Sequence, residues 1–112
     1  MEQVLLEVDP QTAKNWLDNQ EAILIDVREA SEYEAARIVN AVLIPLRSIT
    51  AEKLPFLQAG QKIIVHCGIG VRSAKAIEKL QEERPELPLY NLIGGIHQWL
   101  KLGLPILQNE ED

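Results

Sequence analysis

Two short runs, Ile23-Leu24-Ile25 and Ile63-Ile64-Val65, are apolar at every position. Successive side chains of a strand point to opposite faces, so a run of this kind is satisfied only where both faces of a sheet are covered. That condition selects central parallel strands flanked by helices. The rest of the chain supplies the other layers. The runs Val4-Leu5-Leu6, Val42-Leu43-Ile44 and Leu89-Tyr90-Asn91-Leu92 alternate with amphipathic stretches at residues 12–19, 32–37, 74–80 and 96–104. This order predicts an α/β domain with a mostly parallel sheet of about four or five strands and helices on both faces.

A length of 112 residues has room for one such domain, spanning residues 1–112. Apolar residues at 46% and charged residues at 25% fit a globular core with a solvated surface, not a disordered chain or a rod. The acidic segment Asn109-Glu110-Glu111-Asp112 predicts a disordered, solvating tail from about residue 108. With 11 Lys and Arg against 17 Asp and Glu, the net charge of −6 argues against electrostatic binding to nucleic acid or to anionic membranes. No apolar run approaches the roughly 20 residues of a membrane-spanning helix. The amino terminus, Met1-Glu2-Gln3-Val4, lacks the basic and apolar regions of a signal peptide. The single cysteine, Cys67, permits no intramolecular disulfide and suits a reducing compartment, so a cytoplasmic location is expected.

Local signals place the helix ends. Asp9 before Pro10 reads as an N-cap with proline in the first turn, and Ser31-x-x-Glu34 has the spacing of a capping box. A helix starting near Val71 must stop before Pro85, and Gly103 is placed to terminate the last helix. In open α/β sheets the functional crevice lies at the carboxyl ends of the central strands. Those ends carry Asp26-Val27-Arg28-Glu29 and His66-Cys67.

Cys67 opens the turn Cys67-Gly68-Ile69-Gly70-Val71-Arg72-Ser73, which leads straight into a helix. Free backbone N–H groups and the positive end of the helix dipole stabilise an anion there. Gly68 and Gly70 are expected to turn with positive φ and aim N–H groups into the loop. Arg72 is expected to add a fixed cation, and Lys75 and Lys79 a weaker positive potential. All of these favour the thiolate of Cys67, the reactive form. Four residues separate Cys67 from Arg72, one fewer than in the loops with which cysteine phosphatases surround a phosphate. At about 3.3–3.6 Å of contour per residue, the shorter loop suits one sulfur atom better than a tetrahedral oxyanion.

Five segments then resemble a known family in order and spacing: Asp26-Val27-Arg28-Glu29 with Glu32-Tyr33, Ala41 to Pro45, His66-Cys67 through Arg72-Ser73, Gly94-Gly95-Ile96 with Trp99, and Gly103-Leu104-Pro105. The chain resembles a single-domain rhodanese, a sulfurtransferase. The resemblance implies that Cys67 takes a sulfane sulfur from thiosulfate or a persulfide and passes it to cyanide or a thiol through a Cys67 persulfide. It further implies that Arg72 and the loop amides stabilise the anion. A protein donor or acceptor is equally compatible, and no cofactor is implied. One departure falls at Ala36-Arg37-Ile38-Val39-Asn40-Ala41, where Asn40 replaces a glycine of the family and tolerates a left-handed backbone. The other is the uncharged stretch between Cys67 and Arg72, which weakens the case for thiosulfate as donor.

Two other functions remain open at this level: a small cysteine phosphatase or arsenate reductase, and a non-catalytic interaction module of rhodanese fold. Asp26, Arg28 and Glu29 are expected to anchor and support the loop, not to meet substrate. His66 should point away from Cys67 as a hydrogen-bonded core residue, and His97 should lie on the exposed side of a helix. Trp16 and Trp99 read as core residues. His66, Cys67 and His97 lack the spacing and the fourth ligand of a metal site, so no metal is expected.

Overall fold

The computed structural model describes residues 4–109. Its elements run β1 (Glu7–Val8), α1 (Pro10–Asp18), β2 (Ala22–Asp26), α2 (Ala30–Ala35), β3 (Ala36–Ile38), β4 (Val42–Leu43), β5 (Lys62–His66), α3 (Val71–Glu83), β6 (Leu89–Leu92), α4 (Gly95–Lys101) and β7 (Ile106–Gln108). Five strands form one parallel sheet in the order β1-β6-β5-β2-β4. The two all-apolar runs are its central strands, paired in register from Ala22–Lys62 to Asp26–His66.

Alternation along these strands builds two cores. Ile25, Val27, Ile63, Val65 and Cys67 pack with Ala76, Ile77 and Leu80 of α3. Ala22, Leu24 and Ile64 pack on the opposite face with Ala13 of α1 and with Ile96 and Trp99 of α4. A strand buried on both faces has no polar option at either phase of the pleat, which is why both runs are apolar throughout.

Asp9 caps α1 as expected, accepting from the Thr12 N–H at 2.8 Å and the Thr12 hydroxyl at 2.9 Å. These bonds hold its carboxyl below the ordinary value. Asp9→Ala is expected to cost about 1 kcal/mol, read as a lower urea midpoint at unchanged slope. Helix α3 ends at Glu83, before Pro85. Gly103, at φ +71°, closes α4: its N–H donates to the Leu100 carbonyl at 2.9 Å while the Leu104 N–H donates to Trp99 at 3.2 Å.

Four expectations need correction. The first strand is Glu7–Val8, not Val4-Leu5-Leu6, whose side chains are exposed. Helix α2 starts at Ala30, and its reciprocal cap is Glu29 with Glu32, not Ser31 with Glu34; the Glu32 carboxylate accepts from the Glu29 N–H at 3.0 Å. The amphipathic stretch 32–37 is not all helix: β3 branches off at Ala36 and pairs antiparallel with β7, an unforeseen two-stranded sheet. The tail therefore does not begin at 108, because Gln108 pairs with Ala36 and the Asn109 N–H donates to the Ala35 carbonyl at 3.0 Å. Glu110, Glu111 and Asp112 of the expected tail lie outside the described residues.

No helix among the described residues is long and apolar enough to cross a membrane.

Candidate active site

Strand β5 delivers Cys67 to the carboxyl edge of the sheet, between its neighbours β2 and β6. The loop wraps its sulfur with donors. The Gly70 N–H donates to Sγ at 3.1 Å and the Ser73 N–H at 3.3 Å, and the Ser73 hydroxyl lies 3.3 Å away. The cysteine is 1% exposed, so burial is the largest single influence and pushes its thiol up. The bonds from Ser73, Gly70 and Ile69 together outweigh it and hold the thiol below its ordinary value.

The glycines act differently from one another. Gly70, at φ +113°, makes the left-handed turn that starts α3. Gly68 has no positive φ, contrary to expectation. Its missing side chain instead makes room for Arg72, whose Nη2 would sit 3.3 Å from a Cβ added there. Ile69 and Val71 are 67% and 56% exposed and form an apolar rim.

Arg72 is not a free cation over the sulfur. Its guanidinium grips the Glu32 carboxylate at 2.7 and 3.0 Å, in the two-pronged geometry such pairs favour. The Arg72 hydrogen bond is the main reason Glu32 is pulled down to about 2 from an ordinary 4.5. A carboxylate with a depressed pKa adds stability that is complete above the unfolded value and fades as pH falls toward the folded one. Both side chains are more than a third exposed, so the pair is worth less than about 1 kcal/mol. Glu32→Gln is therefore expected to lower the denaturation midpoint slightly at pH 7, with a difference that shrinks steadily between pH 4.5 and 2. A constant difference across that range would show that the charge is irrelevant.

Asp26 and Arg28 are buried supports. Arg28 Nη2 binds Asp26 Oδ2 at 2.8 Å, its Nε binds Oδ1 at 3.1 Å, and Nη2 also donates to the Ala36 carbonyl at 2.7 Å, tying β2 to α2 and β3. Neither hydrogen-bonds the loop. Glu29 lies at the surface against Arg47 at 3.2 Å. Lys75 and Lys79 are exposed on α3 beside Glu78 and Glu82, which offsets the expected positive potential. His66 is fully buried, with Nδ1 3.2 Å from the Cys67 carbonyl oxygen and Nε2 3.5 Å from Asp26 Oδ2. Burial dominates and pushes its pKa down, with Asp26 pulling the other way. His97 is exposed on α4.

Three contributors escaped sequence reasoning as site residues. Glu32 was visible only as a motif residue, since its partner lies 40 positions away. Asn91, on β6, binds both the Ser73 hydroxyl and the Gly70 carbonyl, and the available signal was a polar residue inside an otherwise apolar strand. The start of α4 supports the loop from behind: the Ile96 N–H donates to the Cys67 carbonyl at 3.0 Å and the His97 N–H to that of Gly68 at 3.1 Å. A cavity of about 460 Å³ lies elsewhere, lined by Lys14, Ile23, Val42, Gln61 and Trp99 among others and by no residue of the Cys67 loop.

Comparison with known proteins adds a consistent set of likenesses. The sequence pattern of the family described as "Rhodanese-like domain" matches residues 9–102. An uncharacterized protein of Synechocystis is 28% identical over 108 residues, covering 96% of this chain and 59% of its own length. A second cyanobacterial relative is covered over 47% of its length, so the chain spans about half of these curated relatives. The protein named thiosulfate sulfurtransferase GlpE of Glaesserella parasuis is 29% identical over 106 residues, covering 95% of this chain and 96% of that protein. Among solved structures, a rhodanese-related protein of Thermoplasma volcanium superposes with a TM-score of 0.76 at 28% identity, covering 94% of this chain and 99% of the other. A Rhodopseudomonas palustris protein described as a possible tyrosine phosphatase superposes with a TM-score of 0.75 at 20% identity, covering 92% of this chain and 85% of the other, a likeness of fold alone.

Proposed function

The chain belongs to the family of rhodanese-like domains, and on that premise we propose that it is a sulfurtransferase in which Cys67 carries a sulfane sulfur as a persulfide. The observation that carries this reading is the convergence of two backbone N–H donors on a single buried sulfur at the end of a central strand.

The Cys67 thiolate attacks the outer sulfur of a donor persulfide R–S–SH, a Cys–S–SH bond forms, and the donor bond breaks with its electron pair leaving on R–S⁻. A second thiolate, or cyanide, then attacks the outer sulfur of Cys67 and expels the original thiolate. The terminal sulfur is anionic when ionised, and the loop donors suit it because fixed N–H dipoles in a water-poor site need no reorganisation as charge develops. Residues 68–71 are uncharged and Arg72 is committed to Glu32, so a donor with little charge suits the loop better than the thiosulfate dianion. The donor is a small sulfur compound or a cysteine persulfide of a partner protein, and the acceptor is cyanide, a small thiol or a cysteine of a partner protein.

Intact mass after incubation with thiosulfate, and separately with a low-molecular-weight persulfide, tests this directly. A gain of one sulfur that cyanide removes as thiocyanate is expected. No gain from either donor, with the protein folded and its thiol reduced, would overturn the reading in favour of an interaction module. Hydrolysis of an aryl phosphate without sulfur loading would favour the phosphatase alternative.

A further inference from the structure

We propose that Asn91 is a positioning residue that sets the protonation of Cys67, because its side-chain oxygen competes with the sulfur for the single hydroxyl proton of Ser73. The proposal rests on Cys67 being the reactive group of the site.

The hydrogen-bond directions follow from one fixed point. The Gly70 carbonyl can only accept, so the Asn91 group 3.1 Å from it must be the amide Nδ2. The side-chain oxygen of Asn91 then necessarily faces Ser73, at 2.5 Å from its Oγ. An amide oxygen can only accept, so the Ser73 hydroxyl donates to it. Having spent its one proton on Asn91, Ser73 has only a lone pair left for the cysteine sulfur 3.3 Å away. That arrangement suits the thiol, whose S–H can donate to Oγ.

Ionisation reverses the last link. A thiolate only accepts, so the hydroxyl must turn from Asn91 to the sulfur to bind it. Asn91 is 4% exposed, and its oxygen then loses a donor that water cannot readily replace. Asn91 thus holds the hydroxyl in reserve and opposes the thiolate, while the Gly70 and Ser73 N–H groups favour it. Through its bond to Gly70, the same amide ties the turn to β6.

The ionisable groups around the sulfur are Arg72 on α3 with its partner Glu32 on α2, His66 on β5 with Asp26 and Arg28 beyond it, and His97 on α4. Among the described residues none of these side chains hydrogen-bonds Asn91 or Ser73, so substitution of Asn91 leaves their pairings in place.

The test is the pH dependence of Cys67 alkylation by iodoacetamide. Asn91→Leu frees the hydroxyl for the sulfur, and the apparent Cys67 pKa is expected to fall by about one unit, the worth of one hydrogen bond to a charged group. Ser73→Ala is expected to raise it. In the double variant the Asn91 effect should vanish, because there is no hydroxyl left to contest. A general loosening of the loop would not depend on Ser73. An unchanged or raised pKa in Asn91→Leu, or the same fall with and without Ser73, would overturn the proposal. Should the variant fail to fold, the wild type supplies the measurement. The Asn91 side-chain amide resonances should titrate with the Cys67 midpoint and lose that step in Ser73→Ala, and their failure to do so would equally overturn it. Alkylation reads the thiol and not sulfur transfer. A protein that shows these shifts but takes up no sulfur would sink the sulfurtransferase reading alone.

Discussion

Cys67→Ser is expected to keep the fold and lose sulfur loading, with sulfur transfer falling by at least about three orders of magnitude. The side chain is buried and contacted by the Gly70 and Ser73 N–H groups, and a serine oxygen can accept from both. Stability should therefore change little. What disappears is the proposed nucleophile: an alcohol in this site meets no base among the described residues, since His66 lies under the loop with its Nδ1 against the Cys67 carbonyl. Intact mass with a persulfide donor and thiocyanate formation from cyanide, alongside a thermal melt, separate the two properties. Residual loading in the variant would place the sulfur somewhere other than Cys67 and end the mechanism.

Gly95→Ala is expected to produce the largest structural effect, a loss of about 3 kcal/mol or more and a melting point lower by about 10 °C or more. Gly95 adopts φ +56°, where a side chain is already strained, and an added Cβ would lie 2.5 Å from the carbonyl oxygens of both Cys67 and Gly68. Those carbonyls belong to backbone held by the Ile96 and His97 N–H groups, so nothing flexible can give way. Either α4 backs off the sheet or the Cys67 loop shifts. The loop donors should then lose their aim at the sulfur, and reactivity toward a persulfide should fall together with stability. A variant as stable and as active as the wild type would mean that α4 does not set the position of the loop.

Much of the scaffold was legible in the chain because its signals are local. Two runs with no polar residue at either phase of the pleat required a strand buried on both faces, and β2 and β5 are the centre of the sheet for that reason. Asp9-Pro10, Pro85 and Gly103 mark helix ends by the chemistry of one or two residues. Asn40 at φ +67° stands where a side chain that tolerates a left-handed backbone was required. The β3–β7 pair was illegible, because Ala36-Arg37-Ile38 becomes a strand only through a partner some 70 residues later, and nothing in either segment announces the other.

The candidate site divides along the same line. Position in sequence was enough to pick out Cys67, with Gly70 and Ser73, because a cysteine between a buried strand and a glycine turn that starts a helix has N–H groups around it whatever the rest of the chain does. Which of those groups aim at the sulfur, and what holds them, was decided by contacts between elements far apart in the chain. Arg72 reads as a free cation until the fold brings Glu32 against it, and Gly68 reads as a turn residue until that arginine lies across it. Asn91 reads as an interruption in an apolar strand until parallel pairing sets β6 beside β5 and places its amide under the loop. The sequence by itself determined the central strands of the sheet and singled out Cys67 as the candidate nucleophile, because both follow from the periodicity and backbone chemistry of contiguous residues. Only the tertiary structure decided the charge balance and the hydrogen-bond directions around the sulfur, because a buried charge or donor is defined by what the fold places opposite it.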